Sequence, residues 1–238
     1  MIVTLAGIPM ELVRKDIKNL HLAVYPPDGR VRLSAPNDVD DETLVLFVSS
    51  KVPWIRRKQR AISELHYQGP RELLDRESHY LLGNRYLLRA VELTPPHRFE
   101  FVEVSAKKRI TVHVANPNCF VQKKTALDRF YRRELQRVLK ELVPLWEQRM
   151  GVKSSAWRIR SMKTKWGSCN TSTKSMLFNL QLAQQPVECI EYIVVHELAH
   201  LRERTHGPRF VAVLDAYLPS WKRLKEKLND IPTTVSLN

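Results

Sequence analysis

Two histidines and a glutamate in the C-terminal part of the chain are spaced for metal chemistry, in the sequence His196-Glu197-Leu198-Ala199-His200. Residues four apart on a helix lie on one face, one turn apart, so the two histidines can bind one tetrahedral zinc ion together. Glu197 would lie beside the metal, where it can take a proton from the zinc-bound water and later give it to a leaving group. The same short motif also arises by chance on charged helices, so its context matters.

A third ligand is needed, because catalytic zinc sites use three protein ligands and leave one position open. Glu203 keeps to the helical face of the two histidines but lies a turn further along, where its reach is marginal. His206 reaches the metal only if the helix ends after about residue 202 and the chain turns back. Gly207-Pro208 indicates a break nearby, although no glycine lies between His200 and His206. The spacing favours His206 and leaves Glu203 as the alternative.

The elements around the motif alternate between helices and strands. Pro186 favours a helix start, and Glu188 and Glu191 lie in the early turns, where the helix dipole favours acids. Further upstream, apolar residues at spacings of three and four predict an amphipathic helix over 125–150, which Pro144 should kink or end locally. The remaining predicted elements are strands over 157–162 and 176–182 and a short closing helix over 210–218. The strand over 176–182 is either an ordinary core strand or a sheet edge along which an extended peptide pairs.

The pattern of residues 1–122 is mainly that of strands and turns. A helix is predicted from Asp40 through 44–48, continuing over 52–60 after a proline break. Three hairpins are predicted: 21–25 with 31–33 around Pro27-Asp28-Gly29, 80–82 with 85–88 around Gly83-Asn84, and 99–104 with 109–114. The change near Asn116-Pro117-Asn118 predicts an α+β chain with a β-rich N-terminal subdomain over 1–122 and a second domain over 123–238.

The composition is that of a globular protein with a strongly basic balance. The net charge of +14 favours polyanionic partners such as nucleic acid, unless it is only a solvated surface. The chain begins without a secretory signal pattern, and its apolar stretches are too short to span a membrane. Cys119, Cys169 and Cys189 are scattered, as reduced thiols are, so a cytoplasmic location is expected.

Several short motifs in order along the chain resemble those of the YgjP-like metallopeptidases. The matching residues are Trp166-Gly167-Ser168-Cys169, Phe178-Asn179-Leu180, Pro186, Tyr192, His196 to Leu201, and His206 with Phe210; upstream they are Asp28-Gly29, Ala35-Pro36 and Trp54-Ile55. The resemblance is strongest over about 157–221. It implies a zincin-like core, a small sheet packed on a long helix and the motif helix, similar to the SprT-like and Wss-type proteases. It also implies zinc ligands at His196, His200 and His206 and a catalytic Glu197, without establishing a substrate.

The expected function is zinc-dependent hydrolysis of a peptide or protein substrate. An oxyanion donor would also be required, and Lys165, Arg209 and Tyr217 are candidates by residue type and position. Trp166 to Cys169 is expected to shape the cleft, since nothing marks an activating base beside Cys169. Hydrolysis of phosphoesters or nucleotide pyrophosphates is an alternative. A nucleic-acid-binding module is another, using Lys51, Arg56, Arg57, Lys58 and Arg60.

Overall fold

The computed structural model describes residues 1–25, 28–64, 72–162 and 165–228. The chain divides into two compact units, Met1–Gly69 and Pro70–Asn238. The predicted boundary at 122/123 lies within the first turn of the longest helix, which spans Phe120–Met150. The assignment of separate roles to 1–122 and 123–238 stays a prediction. No helix among the described residues is long and apolar enough to cross a bilayer.

The first unit is a four-stranded sheet covered by one helix. Its strands are β1 (Ile2–Leu5), β2 (Ile8–Lys15), β3 (His21–Tyr25) and β4 (Arg30–Pro36), in the order β1-β2-β4-β3, and the helix is α1 (Asp41–Glu64). Alternate residues of β2 and β4 are buried, as expected when one face of a sheet packs on a helix. The β3–β4 hairpin confirms the first predicted hairpin, whose Pro27 lies outside the described residues.

The helix α1 is continuous, so the predicted break near Pro53 is wrong. It begins after Asp40, whose carboxylate accepts a hydrogen bond of 2.7 Å from the Thr43 amide. Pro53 lies on the exposed side of the helix, where the carbonyl left without a partner can bind water. Buried Leu44, Val48 and Ile55 hold both halves of the helix on the sheet.

The second unit begins with another four-stranded sheet. Its strands are β5 (Ser78–Leu81), β6 (Asn84–Glu92), β7 (Phe101–Ser105) and β8 (Arg109–Val114), in the order β5-β6-β8-β7. The pairs β5–β6 and β7–β8 confirm the other two predicted hairpins, with Phe99 outside the strand. The long helix α2 (Phe120–Met150) packs against β7 and β8 and runs unbroken through the exposed Pro144, so the predicted kink or end at that proline is wrong.

A small three-stranded sheet follows α2. Its strands are β9 (Ala156–Arg160), β10 (Gly167–Asn170) and β11 (Ser175–Asn179), and β11 lies between the other two. The strand predicted over 176–182 is therefore a core strand and not a sheet edge. Its last residues instead form a 3₁₀ helix, Leu180–Gln184.

Three helices complete the unit: α3 (Val187–Ala199), α4 (Pro208–Tyr217) and α5 (Trp221–Lys227). The helix α3 packs against α2, α4, α5 and β10. Its apolar residues lie on most of its surface, as is typical of a helix that is enclosed by its neighbours. The motif predicted to bind a metal thus lies on a helix that four neighbouring elements enclose.

The N-terminus of α3 is fixed by the turn between β5 and β6. The amides of Leu82 and Gly83 donate to the carbonyls of Ala183 and Gln184, at 2.9 and 3.1 Å. Gly83 has φ of +81°, and a Cβ there would lie 2.8 to 3.1 Å from atoms of Pro186, the residue before α3. Only glycine allows this turn to approach the helix start so closely.

Candidate metal centre

The side chains of His196, His200 and His206 converge at the C-terminal end of α3. One ring nitrogen from each lies within 4.8 Å of the others, and the Nε2 atoms of His196 and His206 are 3.1 Å apart. The two motif histidines lie one helical turn apart, as their spacing predicts. His206 joins them from the turn that follows the helix.

The helix stops earlier than predicted, at Ala199, and this brings His206 back to the site. The amides of Arg202 and Glu203 both donate to the Ala199 carbonyl, at 3.0 and 2.9 Å, which closes a tight turn. No residue from 199 to 207 has a positive φ, so the turn needs no glycine. The Arg202 guanidinium fixes the turn by donating to the Met150 carbonyl at the end of α2.

Phe210, on the first turn of α4, packs against all three rings of the histidine cluster. It is only 2% exposed, and its ring centroid lies 4.7 to 5.0 Å from those of all three histidines. Each imidazole is therefore restrained on one side by an aromatic ring. The only sequence signal of this contact is the four-residue spacing from His206 to Phe210.

The three side chains fit the requirements of a metal centre. Tetrahedral zinc with Zn–N bonds of about 2.0–2.1 Å needs ligand nitrogens roughly 3.3 Å apart, close to the 3.1 Å between His196 and His206. Burial, with the neighbouring His200 and His206, lowers the pKa of His196 to about 3, and burial also lowers the pKa of His200. Neutral imidazoles keep the lone pairs that bind metals.

The His200 ring is held in a tautomer that suits metal binding. Its Nδ1 lies 3.3 Å from the Glu203 carbonyl oxygen, which can only accept a hydrogen bond. Nδ1 therefore carries the proton, and Nε2 keeps its lone pair. The Glu203 side chain is not part of the cluster, so Glu203 contributes to the site through its backbone.

Glu197 lies beside the cluster and is nearly enclosed, with 4% of its surface exposed. Burial raises the pKa of its carboxyl to about 8, against the smaller opposing effect of the Lys165 ammonium. Its Oε2 atom is buried and has no hydrogen-bond partner among the described residues. A carboxyl group in this state can hold or release a proton near neutral pH.

Gly167, in the Trp166 to Cys169 motif, explains how Glu197 fits between α3 and β10. A Cβ at position 167 would lie 2.8 Å from both Cγ and Cδ of Glu197. The Glu197 carboxylate thus occupies the space that a side chain at position 167 would take. Burial and the Glu197 charge raise the pKa of the Cys169 thiol to about 11, so it is not a thiolate at neutral pH.

The histidines and Glu197 open into a cleft of about 610 Å³. One wall is formed by residues 165–172, which include β10, and the floor by α3; Arg204 lies on the lining with His206. Of the three oxyanion candidates, only Lys165 is among the described lining residues. Tyr217 instead lies under the Arg202 guanidinium, 5.2 Å from its ring centre.

The buried side chain of Asn179 positions the backbone of Lys165. Its amide nitrogen donates to the carbonyls of Met162 and Lys165, at 2.8 and 2.7 Å. Its oxygen accepts from the Gln181 amide at 3.2 Å. A single polar side chain with no exposed surface therefore ties the cleft wall to the end of β11.

The basic residues considered for nucleic acid lie elsewhere, on α1 in the first unit, where Lys51, Arg56, Arg57 and Arg60 are exposed.

Three other features of the site have no strong local signal in the sequence. They are the Gly167–Glu197 approach, the packing of Phe210 and the position of Arg204. Each depends on a contact between different elements.

A cluster of three imidazoles beside a buried carboxyl in an open cleft is the arrangement of a metallohydrolase site. Residues 18–231 match the YgjP-like family, described as a metallopeptidase domain. This match covers most of the sequence, so the chain belongs to the YgjP-like metallopeptidase family, which makes it a metal-dependent peptidase. The α+β fold class predicted from the sequence is confirmed, and so is the resemblance to the YgjP-like metallopeptidases.

Two solved structures of metallopeptidase zymogens are similar to part of the chain. Pyrococcus abyssi abylysin is 22% identical and matches 37% of this chain and 89% of its own, with a TM-score of 0.35. Methanocaldococcus jannaschii jannalysin is 25% identical and matches 37% of this chain and 91% of its own, with a TM-score of 0.34. No curated protein matches the sequence.

Proposed function

We propose that the chain cleaves peptide bonds with a zinc ion held by His196, His200 and His206 and with Glu197 as the general base. The observation that carries this proposal is the convergence of three ring nitrogens within 4.8 Å, beside a nearly enclosed carboxyl group. Family membership supports the peptidase class.

The ligand set favours zinc among the common metal ions. Three imidazoles and no carboxylate suit zinc in a tetrahedral site better than magnesium or calcium, which prefer oxygen ligands. Zinc bound there would act as a Lewis acid that makes water a nucleophile near neutral pH and polarises a carbonyl group. The fourth position would face the cleft, where substrate enters.

Glu197 supplies the proton transfers in the proposed reaction. Its unpaired Oε2 accepts a proton from the attacking water and then delivers it to the departing amine. Enclosure between α3 and β10 keeps other hydrogen-bond donors away from the carboxylate, which favours transfer over permanent pairing. The raised pKa of Glu197 is consistent with a group that changes protonation state during turnover.

The strand β10 is the proposed docking edge for the substrate backbone. Among the described strands it pairs only with β11, and its residues line the cleft wall. An extended peptide could pair with the free side of β10 by main-chain hydrogen bonds, which would place a peptide bond beside Glu197.

Phosphoester hydrolysis is less well supported, because such sites commonly use two metal ions bridged by carboxylates. Within the ranges that the structure describes, the only group of three or more ligands close enough to share one ion is the histidine cluster itself. This arrangement favours a single-metal hydrolase.

Metal analysis and activity on fluorescent casein test the proposal. Glu197→Gln should retain one zinc per chain and lose at least about a hundredfold in turnover, because it removes the base without removing a ligand. His206→Ala should lose zinc, whereas the control Glu203→Gln should keep it. Activity retained by Glu197→Gln would reject the base, and zinc retained by His206→Ala would reject the third ligand.

A further inference from the structure

On the described lining of the cleft beside the histidine cluster, positively charged side chains outnumber acidic ones. Lys165 and Arg204 both line the cleft and are exposed. Glu197 is the only acidic residue on the described lining, and it is nearly enclosed. The two cationic side chains therefore face the space that a substrate would occupy.

Elsewhere, many basic side chains pair with acids. Arg32 pairs with Glu11, Arg129 with Glu100 and Lys227 with Glu188. No ion pair involves Lys165 or Arg204 among the described residues. The charge at the cleft is thus available to a ligand.

The stretch of sequence that forms the cleft wall contains basic residues and no acidic ones. Between Glu147 and Glu188 there is no acidic residue. The same stretch contains seven basic residues: Arg149, Lys153, Arg158, Arg160, Lys163, Lys165 and Lys174. Arg158 and Arg160 are exposed on β9, in the same sheet as the cleft wall. A stretch of this composition favours anionic ligands over cationic ones.

We propose that the substrate is a peptide with a carboxylate next to the cleaved bond, and that Lys165 and Arg204 bind this carboxylate. The inference rests on the proposed peptidase function and adds a substrate class to it. The carboxylate comes from an acidic side chain or from the C-terminus of a short peptide. Asn179 holds the Lys165 backbone at the cleft wall by donating a hydrogen bond to its carbonyl.

Cleavage of matched peptide pools by the full zinc-loaded chain tests the inference. Two internally quenched, C-terminally amidated pools differ only in carrying Glu or Gln at one fixed position, and a third carries Gln with a free C-terminus. The wild type should have a higher kcat/KM for a carboxylate pool than for the amidated Gln pool. The pool that shows the gain identifies the source of the carboxylate.

Substitutions then locate the charge that causes this preference. Lys165→Gln and Arg204→Gln should each lower the ratio of kcat/KM for the carboxylate pool to kcat/KM for the amidated Gln pool by about two- to five-fold, as expected for exposed ion pairs. The control Lys140→Gln removes the same single charge at an exposed position outside the cleft, as does Arg98→Gln. Both controls should keep the preference.

Binding to the inactive Glu197→Gln chain gives a readout that does not depend on turnover. A fluorescein-labelled peptide with Glu should bind more tightly than its Gln counterpart by anisotropy, and added salt should reduce the difference. Equal cleavage of all pools, or equal losses in the control variant, would overturn the inference and leave the peptidase function standing. Absence of any cleavage would overturn the peptidase function itself. Tighter binding of a short oligodeoxythymidylate than of the acidic peptide would assign the charge to nucleic acid and reject the inference.

Discussion

At the scale of single residues, the contact between Gly167 and Glu197 links a strand to the proposed general base. The carboxylate occupies the space that any side chain at position 167 would fill. The geometry of Glu197 therefore depends on a residue that carries no functional group.

We predict that Gly167→Ala lowers kcat by about ten- to a hundredfold, because small displacements of a catalytic group are costly. Zinc content should not change, since the atoms nearest to a Cβ at position 167 all belong to Glu197 and not to the histidines. Gly207→Ala is the matched control, because a Cβ at Gly207 meets nothing within 4 Å. Equal activity of Gly167→Ala and the wild type in a casein assay would contradict the prediction.

At the scale of elements, Glu147 connects the end of α2 to the sheet that forms the cleft wall. Its carboxylate accepts hydrogen bonds from the Ser154 amide at 2.9 Å and from Lys153 at 2.8 Å. Burial by itself raises the pKa of Glu147, but the hydrogen bonds from Lys153 and Ser154 outweigh it and lower the pKa below the ordinary 4.5. Folding therefore favours the charged form.

We predict that Glu147→Gln destabilises the fold by about 1.5–3 kcal/mol at neutral pH. Because the folded pKa is lowered, the charged group stabilises the fold fully above its ordinary pKa of 4.5 and loses this effect as pH falls through the folded value. The difference from wild type should thus shrink in acid. Urea unfolding at neutral and acidic pH measures it, with exposed Glu141→Gln as the control. A difference that stays constant with pH would exclude this origin.

A feature could be predicted from the sequence where the residues that determine it are close together along the chain. The His196–His200 spacing and the hairpin at Gly83-Asn84 are local signals, and both appear as expected. The breaks at Pro53 and Pro144 were wrong, because packing along the rest of each helix outweighs one missing hydrogen bond. The contacts of Gly167 with Glu197 and of Phe210 with His196 join residues of different elements, which local sequence patterns do not relate.

At the scale of the whole molecule, the chain has two separate hydrophobic cores, one in each unit. One includes Leu33 and Ile55 of the first unit, and the other runs from Leu73 to Leu228. The second core surrounds α3 and its histidines, so a bound metal would stabilise this unit directly.

We predict that removing zinc with a chelator lowers the Tm and that adding zinc restores it. Metal at about a hundredfold excess over Kd stabilises by about 2.7 kcal/mol, which corresponds to a shift of about 5–10 °C. Scanning fluorimetry measures the shift, and His206→Ala should not respond to either treatment. A wild-type Tm that is independent of the chelator would show that folding is not coupled to metal.

The three histidines all lie between the last turn of α3 and the first residue before α4, whereas the space for Glu197 is set by a strand far upstream. The entropy of closing so short a segment is small, so the ligands can stay together while β10 separates from α3. Heated or aged preparations would then lose turnover before they lose zinc. Measuring bound metal would therefore overstate the number of active sites. Counting active sites also needs a measurement of whether β10 is still packed against α3.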